Sequence, residues 1–187
     1  KADLSAVDYV FSWLGNTELL VAIIKLIEDR MNVEHDVKTV GVQTIMLVED
    51  SVRFYSAELP LLFNYVLSAS KEFSKEALNA HLQMLRMRGR PKILLARDYE
   101  EAIDLYKKYG DNMLGVLSDM SFNREGKKDK LAGKKLGEWI REQDEYIPII
   151  YSSSESQNRE YAVRIDASFI DKNSKTFPQD LEKTVKD

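Results

Sequence analysis

One short stretch of the chain combines an apolar run with a single acid at its end. The run LGVLSDMSF, from Leu114 to Phe122, is interrupted by Asp119. An acid in this place is often only a cap for the next turn or helix. Other polar residues directly follow or end apolar runs elsewhere in the chain, namely Glu49, Asp50, Ser152, Ser153 and Lys172. Each has a structural explanation by itself, but together they would make a chemical site.

The chemistry that such a set could perform is phosphoryl transfer. Three neighbouring carboxylates, from Glu49, Asp50 and Asp119, repel one another and need a cation to neutralise them. Mg2+ prefers oxygen ligands and keeps several waters, so it meets this need. One carboxylate can then attack a phosphoryl group, while the metal and Lys172 offset charge on the phosphoryl oxygens. This interpretation predicts that Asp119 is a phosphate acceptor.

Five short apolar runs supply the elements that would bring these residues together. Each run is followed by a longer stretch with the apolar spacing of a helix. Alternation of this kind predicts an α/β domain with a parallel sheet that helices cover on both faces. In such sheets, ligands bind beyond the carboxyl ends of the strands. The predicted strands are Thr44–Val48, Lys92–Ala96, Leu114–Ser118, Pro148–Ser152 and Ser168–Asp171.

Composition excludes several other classes of protein. The 187 residues are 44% hydrophobic and 31% charged, which is typical of a globular domain. The absence of cysteine and the presence of only two histidines exclude a disulfide framework and a zinc site based on these residues. The net charge of −4 argues against nucleic-acid binding, so we interpret the basic clusters at 86–92 and 127–135 as solvated connections. Neither a G-x-G-x-x-G turn nor a P-loop is present.

Membrane insertion is not expected either. The apolar stretch from Leu19 to Ile27 is interrupted by Lys25 and is far shorter than a bilayer requires. We see no secretory-signal pattern, and we expect a cytoplasmic location.

Four quoted segments resemble a known family. IMLVEDS, GVLSDMSF, IPIIYSSSES and ASFIDKNS occur in this order between Val42 and Lys186, and together they resemble the response-regulator receiver domain. The resemblance implies a flavodoxin-like, doubly wound, five-stranded parallel sheet with the strand order 2-1-3-4-5. It also implies Mg2+ as the cofactor.

The resemblance carries a role for each matching residue. Asp119 would be the phosphoacceptor, with Lys172 beside it. Asp50, Asp119 and the main-chain carbonyl of Ser121 would hold the metal directly, and Glu49 would act through water. The remaining roles are the switch pair Ser153 and Phe169, and the positions that tune phosphate lifetime, Ser121 and Glu155.

The chain also departs from the family pattern. About 43 residues separate the first two predicted strands, roughly twice the usual number, which predicts an extended first helix or a helical pair. Pro60 favours an early start or a kink, and Ser74 could cap a second helix. An apolar stripe along this segment fits either a local coiled pair or a surface for docking or dimerisation; its residues are Leu62, Val66, Phe73, Ala77, Met84 and Met87.

The N-terminal segment gives a second resemblance. Residues Val7 to Asn32 resemble the last strand and helix of a degenerate receiver, with Ser12 where the lysine would stand. We therefore predict a remnant and linker over 1–40 and a receiver domain over 41–187. The apolar face of this helix is expected to pack on the long first helix or on a second copy of the chain.

Three functions remain open at this point. The first is a phosphoacceptor of a two-component system or phosphorelay, which takes phosphate from a histidine kinase or phosphotransfer protein and acts as a switch rather than an enzyme. The second is a receiver-like module that works mainly by protein contacts through the long first helix. The third is an aspartyl-phosphate hydrolase, which needs a second acid where Ser121 stands.

Overall fold

A computed structural model describes residues 7–13, 15–75 and 89–186. The helices are α1 (Glu18–Val40), α2 (Val52–Lys75), α3 (Tyr99–Tyr109), α4 (Ala132–Gln143), α5 (Arg159–Arg164) and α6 (Phe177–Lys186). The strands are β1 (Thr44–Val48), β2 (Lys92–Ala96), β3 (Met113–Asp119), β4 (Phe122–Arg124), β5 (Lys127–Asp129), β6 (Ile149–Ser153) and β7 (Ser168–Asp171). In this part of the chain, no helix combines the length and the apolar character needed to cross a bilayer.

Five strands form one parallel sheet in the order β2-β1-β3-β6-β7. Counted among the sheet strands alone, this is the order 2-1-3-4-5, so the predicted doubly wound fold is confirmed. The strand bounds agree with the prediction for β1, β2 and β7, whereas β3 is longer by one residue at each end and β6 begins and ends one residue later. The carboxyl ends of these strands meet at one edge of the sheet.

Each face of the sheet has its own apolar core. Alternating residues of a strand point to opposite faces, so Met46 and Val48 of β1 pack with α3 and α4, while Leu47 packs with α1 and α2. The strands are apolar on both sides because helices cover both. The sequence pattern of continuous apolar runs follows from this arrangement.

The segment after β3 forms a small hairpin that the sequence did not predict. Strands β4 and β5 pair antiparallel, with Asn123 opposite Lys128. The turn between them contains Glu125 and Gly126, both with positive φ, which is the backbone that two-residue hairpin turns require. Residues 127–129, which we interpreted as part of a solvated loop before a helix, are therefore a strand. The strand is only three residues long, which is too short to show an alternating pattern.

The long first helix of the domain is α2, which has 24 residues. Pro60 lies inside it, and the helix continues through Ser74, so no new helix begins at Ser74. Leu62 and Val66 of the predicted stripe are buried against the sheet. A second helix of a pair, including Ala77, Met84 and Met87, would lie outside the described residues.

The N-terminal helix α1 packs on α2 and on β2. Its buried face repeats at alternating intervals of three and four residues, as a helix stripe does, and consists of Leu19, Ala22, Leu26, Asp29 and Val33. The opposite side exposes Leu20, Ile24, Ile27 and Met31. The predicted contact with the long first helix is thus present, but only part of the apolar surface of α1 is used.

A buried ion pair joins α1 to the start of β2. The carboxylate of Asp29 accepts hydrogen bonds from Arg90 Nη2 at 2.6 Å, Arg90 Nη1 at 2.9 Å and Ile93 N at 2.9 Å. Lys92 Nζ lies 2.8 Å from Asp36 of the same helix. Arg90 and Lys92 are buried, so our interpretation of this basic cluster as solvated is wrong for these two residues. The reason is that α1 places the acids Asp29 and Asp36 beside the start of β2. Asp29 is 61 residues away from Arg90 in the sequence.

The segment that precedes α1 differs from the prediction as well. Residues 7–13 contain no strand, because they do not pair with a strand of the sheet. Instead, the ring of Phe11 contacts that of Tyr55 edge-on at 5.6 Å, and Ser12 N donates to Ser56 Oγ at 2.9 Å. The division of the chain at residue 40 stays a prediction.

Substitution of Asp29 by Asn should destabilise the domain strongly. It leaves the buried Arg90 guanidinium without its counter-charge, a change that typically costs about 3–5 kcal/mol of unfolding free energy. Chemical denaturation followed by far-UV circular dichroism measures this cost. The control is Glu34→Gln, which removes an exposed pair with Lys38 on the same helix and should leave the unfolding free energy almost unchanged. Equal stability of the two variants would show that α1 is not anchored by this pair.

Candidate functional site

The carboxyl edge of the sheet gathers the acids that the sequence singled out. Glu49 and Asp50 follow β1, and Asp119 ends the neighbouring strand β3. One carboxylate oxygen from each of the three lies within 4.8 Å of the others. Glu49 is buried, whereas Asp50 and Asp119 are partly open to solvent. The structure therefore brings these three predicted residues into one pocket.

Lys172 provides the positive charge at the floor of the pocket. Its main-chain N–H bonds to the carbonyl of Ser153 at 3.0 Å, which continues the pairing of β7 with β6. Its ammonium group donates to Glu49 and, at 3.0 Å, to Asp119 Oδ1. It also lies 4.4 Å from the centre of the Phe54 ring. The side chain is only 2% exposed, so this cation is held almost entirely by the protein.

A fourth acid, Glu58, lies behind Lys172 and was not predicted from the sequence. Its carboxylate is 4.0 Å from Lys172 Nζ and accepts a hydrogen bond from Ser152 Oγ at 3.3 Å. A signal was available, because Tyr55, Glu58 and Leu62 follow helical spacing and share the buried face of α2. An acid within an apolar helix stripe indicates a buried polar partner.

Burial and neighbouring charges shift the pKa values of this group in a consistent way. Burial raises the pKa of Glu58 to about 8, with Lys172 opposing the rise and Glu49 adding to it. Burial likewise raises the pKa of Glu49 to about 7, and the charge of Lys172 opposes this rise too. For Lys172, burial acts to lower the pKa, but the carboxylates of Glu58, Glu49 and Asp119 outweigh it and raise the pKa above its usual value. Lys172 therefore stays charged at neutral pH.

The other end of the acid cluster contacts a second lysine, Lys128, which was not predicted from the sequence. Lys128 Nζ of β5 lies 2.9 Å from Asp50 Oδ1, 2.7 Å from Asp50 Oδ2 and 2.7 Å from the main-chain carbonyl oxygen of Ser121. Nothing in the local sequence indicated this contact, because it depends on the hairpin. Among the described residues, the site thus contains four acids and two lysines.

The donor set fits a Mg2+ ion. The carboxylate of Asp50 and the carbonyl of Ser121 converge on one point, where they already share a cation, and Asp119 belongs to the same cluster. Carboxylate and carbonyl oxygens are the protein ligands that Mg2+ prefers, with water completing its shell. The residues that the resemblance assigned to the metal can therefore hold it.

The backbone after Asp119 is fixed by a close approach of α4. Gly133 N donates to the carbonyl of Met120 at 3.1 Å. A side chain at Gly133 would meet the carbonyl oxygen of Asp119 at 2.1 Å, so only glycine allows this contact. Asp119 also accepts a bond from Ser121 N at 3.3 Å, and its side chain keeps 14% exposure. The carboxylate of Asp119 is thus positioned at the mouth of the pocket.

The residues with predicted switch and lifetime roles lie on β6, on β7 and in the segments that follow β3 and β6. Ser153 is buried at the end of β6, where its Oγ accepts bonds from Asn158 Nδ2 at 2.9 Å and Glu155 N at 3.2 Å. Phe169 is partly buried on β7, with the Arg159 guanidinium 4.9 Å from its ring centre. The side chain of Glu155 is exposed. Their roles, and that of Ser121 in tuning phosphate lifetime, stay predictions.

Replacement of Glu58 by Gln should stabilise the metal-free protein at alkaline pH. An acid whose pKa rises from 4.5 to about 8 on folding binds its proton more tightly in the folded state, so its burial costs stability increasingly as pH rises from about 4.5 to 8. Gln keeps an acceptor for Ser152 without this cost. We expect a gain on the order of a few kcal/mol in unfolding free energy near pH 8.5 and little change near pH 5.

Guanidinium denaturation in the presence of EDTA at both pH values tests this expectation. Glu72→Gln is the matched control, since Glu72 is an exposed acid on the same helix. A loss of stability in Glu58→Gln at alkaline pH would mean that Glu58 is ionised and contributes through its pair with Lys172.

Comparison with known proteins agrees with this geometry at the level of the fold. No protein-family model matches the sequence, and no curated protein matches it. Among solved structures, a response-regulator receiver domain protein from Clostridium thermocellum is 15% identical, with a TM-score of 0.50 over 78% of this chain and 92% of that one. The non-phosphorylated HemR receiver domain from Leptospira biflexa is 22% identical, with a TM-score of 0.46 over 76% of this chain and 94% of that one.

A third solved structure was determined with ligands bound. TrrA from Thermotoga maritima, in complex with Mg2+–BeF, is 18% identical, with a TM-score of 0.45 over 78% of this chain and 97% of that one. The strand order and the match to the Clostridium thermocellum structure lead to the same conclusion. The chain has the fold of a response-regulator receiver domain.

Proposed function

We propose that this chain is a phosphoacceptor receiver module that takes a phosphoryl group on Asp119 and acts as a conformational switch. The observation that carries the proposal is the position of Asp119. Its carboxylate ends β3 at the mouth of the pocket, 3.0 Å from the buried ammonium of Lys172 and beside two further acids. A partly accessible carboxylate with a fixed cation behind it is suited to nucleophilic attack on phosphorus.

The transfer itself exchanges one bond for another. An oxygen of the Asp119 carboxylate forms a new P–O bond while the P–N bond of a donor phosphohistidine breaks, and the bonding electron pair stays on the leaving imidazole nitrogen. Lys172 is held at the site by Glu49 and Glu58 as well as by Asp119. It can therefore turn part of its hydrogen bonding toward a phosphoryl oxygen without leaving the pocket.

Mg2+ is the cofactor that we propose for this step. Asp50, Asp119 and the carbonyl of Ser121 would hold it, with Glu49 acting through water. When bound, it would offset the negative charge of the phosphoryl oxygens. Without a cation, the acids of the cluster would repel an anionic donor.

The switch would run through Ser153 and Phe169. Both hydrogen bonds to Ser153 Oγ use this oxygen as acceptor, so its O–H is left to donate to a phosphoryl oxygen. Movement of Ser153 would alter its bond to Asn158 at the start of α5. Phe169 lies on the adjacent strand under Arg159 of the same helix, so a shift of α5 would change its surroundings. This is a switch rather than a turnover enzyme.

The partner that fits this chemistry is a histidine kinase or a phosphotransfer protein, in a two-component system or phosphorelay. We retain the cytoplasmic location expected from the sequence. A homodimer through α1 also stays in the proposal, because its outer face exposes a stripe that includes Ile24 and Met31, which are 63% and 78% exposed.

Phosphorylation by a small-molecule donor tests the acceptor directly. Incubation of the full chain with Mg2+ and acetyl phosphate should add one phosphoryl group, seen by intact-mass spectrometry. Asp119→Asn should abolish the gain, because an amide is a poor nucleophile. Asp111→Asn, at an exposed acid before β3, is the control and should behave as the wild type.

The same experiment separates the proposal from its alternative. If the wild type gains no mass, even with a phosphorylated histidine phosphotransfer protein as donor, the pocket is not an acceptor. The second candidate, a receiver-like module that works through protein contacts, would then be favoured, and the internal neutralisation of the acids by Lys172 and Lys128 is the observation that supports it.

Self-association through α1 is tested by sedimentation velocity. The wild type should show a concentration-dependent dimer, whereas Ile24→Glu should remain monomeric because it places a charge in the middle of the apolar stripe. Lys38→Glu, an exposed change near the end of the same helix, should leave the dimer intact. A wild-type chain that stays monomeric at high concentration would contradict this assignment.

A further inference from the structure

The ammonium group of Lys128 lies where the proposed metal would bind. It contacts both carboxylate oxygens of Asp50, at 2.9 and 2.7 Å, and the carbonyl oxygen of Ser121 at 2.7 Å. These two groups are also two of the three that the proposed function assigns to direct coordination of Mg2+. The lysine and the metal therefore compete for the same oxygen atoms.

The hairpin that carries Lys128 is anchored independently of this contact. Phe122 is fully buried in the core, and Glu125 N donates to Glu100 Oε1 at 3.0 Å. The guanidinium of Arg124 lies 5.0 Å from the centre of the Tyr99 ring. Asp129, next to Lys128, accepts a bond from Lys135 at 2.6 Å. The backbone of β4 and β5 is thus held in place whether or not Lys128 touches Asp50.

The Lys128 side chain, in contrast, is free to leave. It is 52% exposed, and a lysine side chain has four flexible carbon–carbon links that can carry the ammonium into solvent. An ammonium ion and a divalent cation cannot share one position, because their charges repel and each oxygen lone pair serves one partner at a time. Binding of the metal requires this side chain to swing out.

We infer that Lys128 is a tethered cation that neutralises Asp50 in the metal-free site and that it sets the affinity for Mg2+ by competing with it. This inference rests on the Mg2+ site of the proposed function. The hairpin would then influence phosphorylation of Asp119 through the Mg2+ affinity of the site. An exposed ion pair of this kind is weak, so the expected effect of the competition on Mg2+ affinity is roughly fivefold.

Calorimetric titration of Mg2+ into the full chain at neutral pH measures this effect without any phosphorylation. Lys128→Met should bind Mg2+ about fivefold more tightly than the wild type. Lys127→Met removes the same charge from an exposed neighbouring position of the hairpin and should change the affinity less than about twofold. The contrary result is that Lys128→Met binds Mg2+ no more tightly than the wild type, while wild-type binding still depends on Asp50. That result overturns the inference and leaves the proposed metal site intact.

Asp50→Asn distinguishes a failure of the inference from a failure of the proposed function. It should lose most Mg2+ binding. If the wild type shows no binding that depends on Asp50, the proposed metal site is wrong and the inference is overturned together with it.

Chemical labelling of the wild type provides a second readout that needs no variant. Brief acetylation with acetic anhydride, followed by Glu-C digestion and mass spectrometry, reports how freely each lysine reacts. Addition of Mg2+ should increase the labelling of Lys128 severalfold, because the ion releases its ammonium group from Asp50, while Lys127 in the same peptide stays constant. Equal labelling of Lys128 with and without saturating Mg2+ would overturn the inference.

Discussion

The pocket depends on the ammonium group of Lys172, which is buried among acids contributed by three separate elements. Glu49 follows β1, Asp119 ends β3 and Glu58 comes from α2. Burial of an isolated charge is very costly, so each carboxylate near Lys172 lowers the cost of burying it, and Lys172 does the same for the acids. None of these groups can be removed without changing the charge balance of the others. This mutual dependence fixes the carboxyl ends of the strands relative to α2.

Charge in the site is distributed between an inner and an outer part. The inner part is closed to solvent and contains Lys172, Glu49 and Glu58. The outer part is partly open and contains Asp50, Asp119 and Lys128. Ionic interactions are strong and rigid in the inner part and weak and exchangeable in the outer part, because solvent screens the latter. A permanent cation is therefore provided at the floor of the pocket, while the cation at its mouth can be exchanged.

Most of the fold could be predicted from the sequence, because continuous apolar runs and helical stripes report burial on both faces of a parallel sheet. The acids at the strand ends could be placed for the same reason: strand direction alone brings Asp50 and Asp119 to one edge. Contacts of side chains that do not follow a sheet strand, such as those of Arg90 and Lys128, could not be predicted. The pair of Asp29 with Arg90 and the contact of Lys128 with Asp50 both join residues more than 60 positions apart, and neither has a local pattern. Glu58 could be predicted in part: its position in the apolar stripe of α2 indicates that it is buried, but does not identify Lys172 as its partner.

The Asp29–Arg90 and Lys128–Asp50 ion pairs have opposite consequences for the molecule. The pair of Asp29 with Arg90 is buried and reinforced by a main-chain donor, Ile93 N, so it fixes α1 to β2 permanently. The pair of Lys128 with Asp50 is exposed on one side, and its lysine is attached to an independently anchored hairpin. A change in the occupant of the outer site is therefore transmitted to a side chain and not to the packing of the domain. If phosphorylation alters the shape of this protein, the alteration needs another route, and the proposed one runs through Ser153, whose Oγ is bonded to Asn158 at the start of α5.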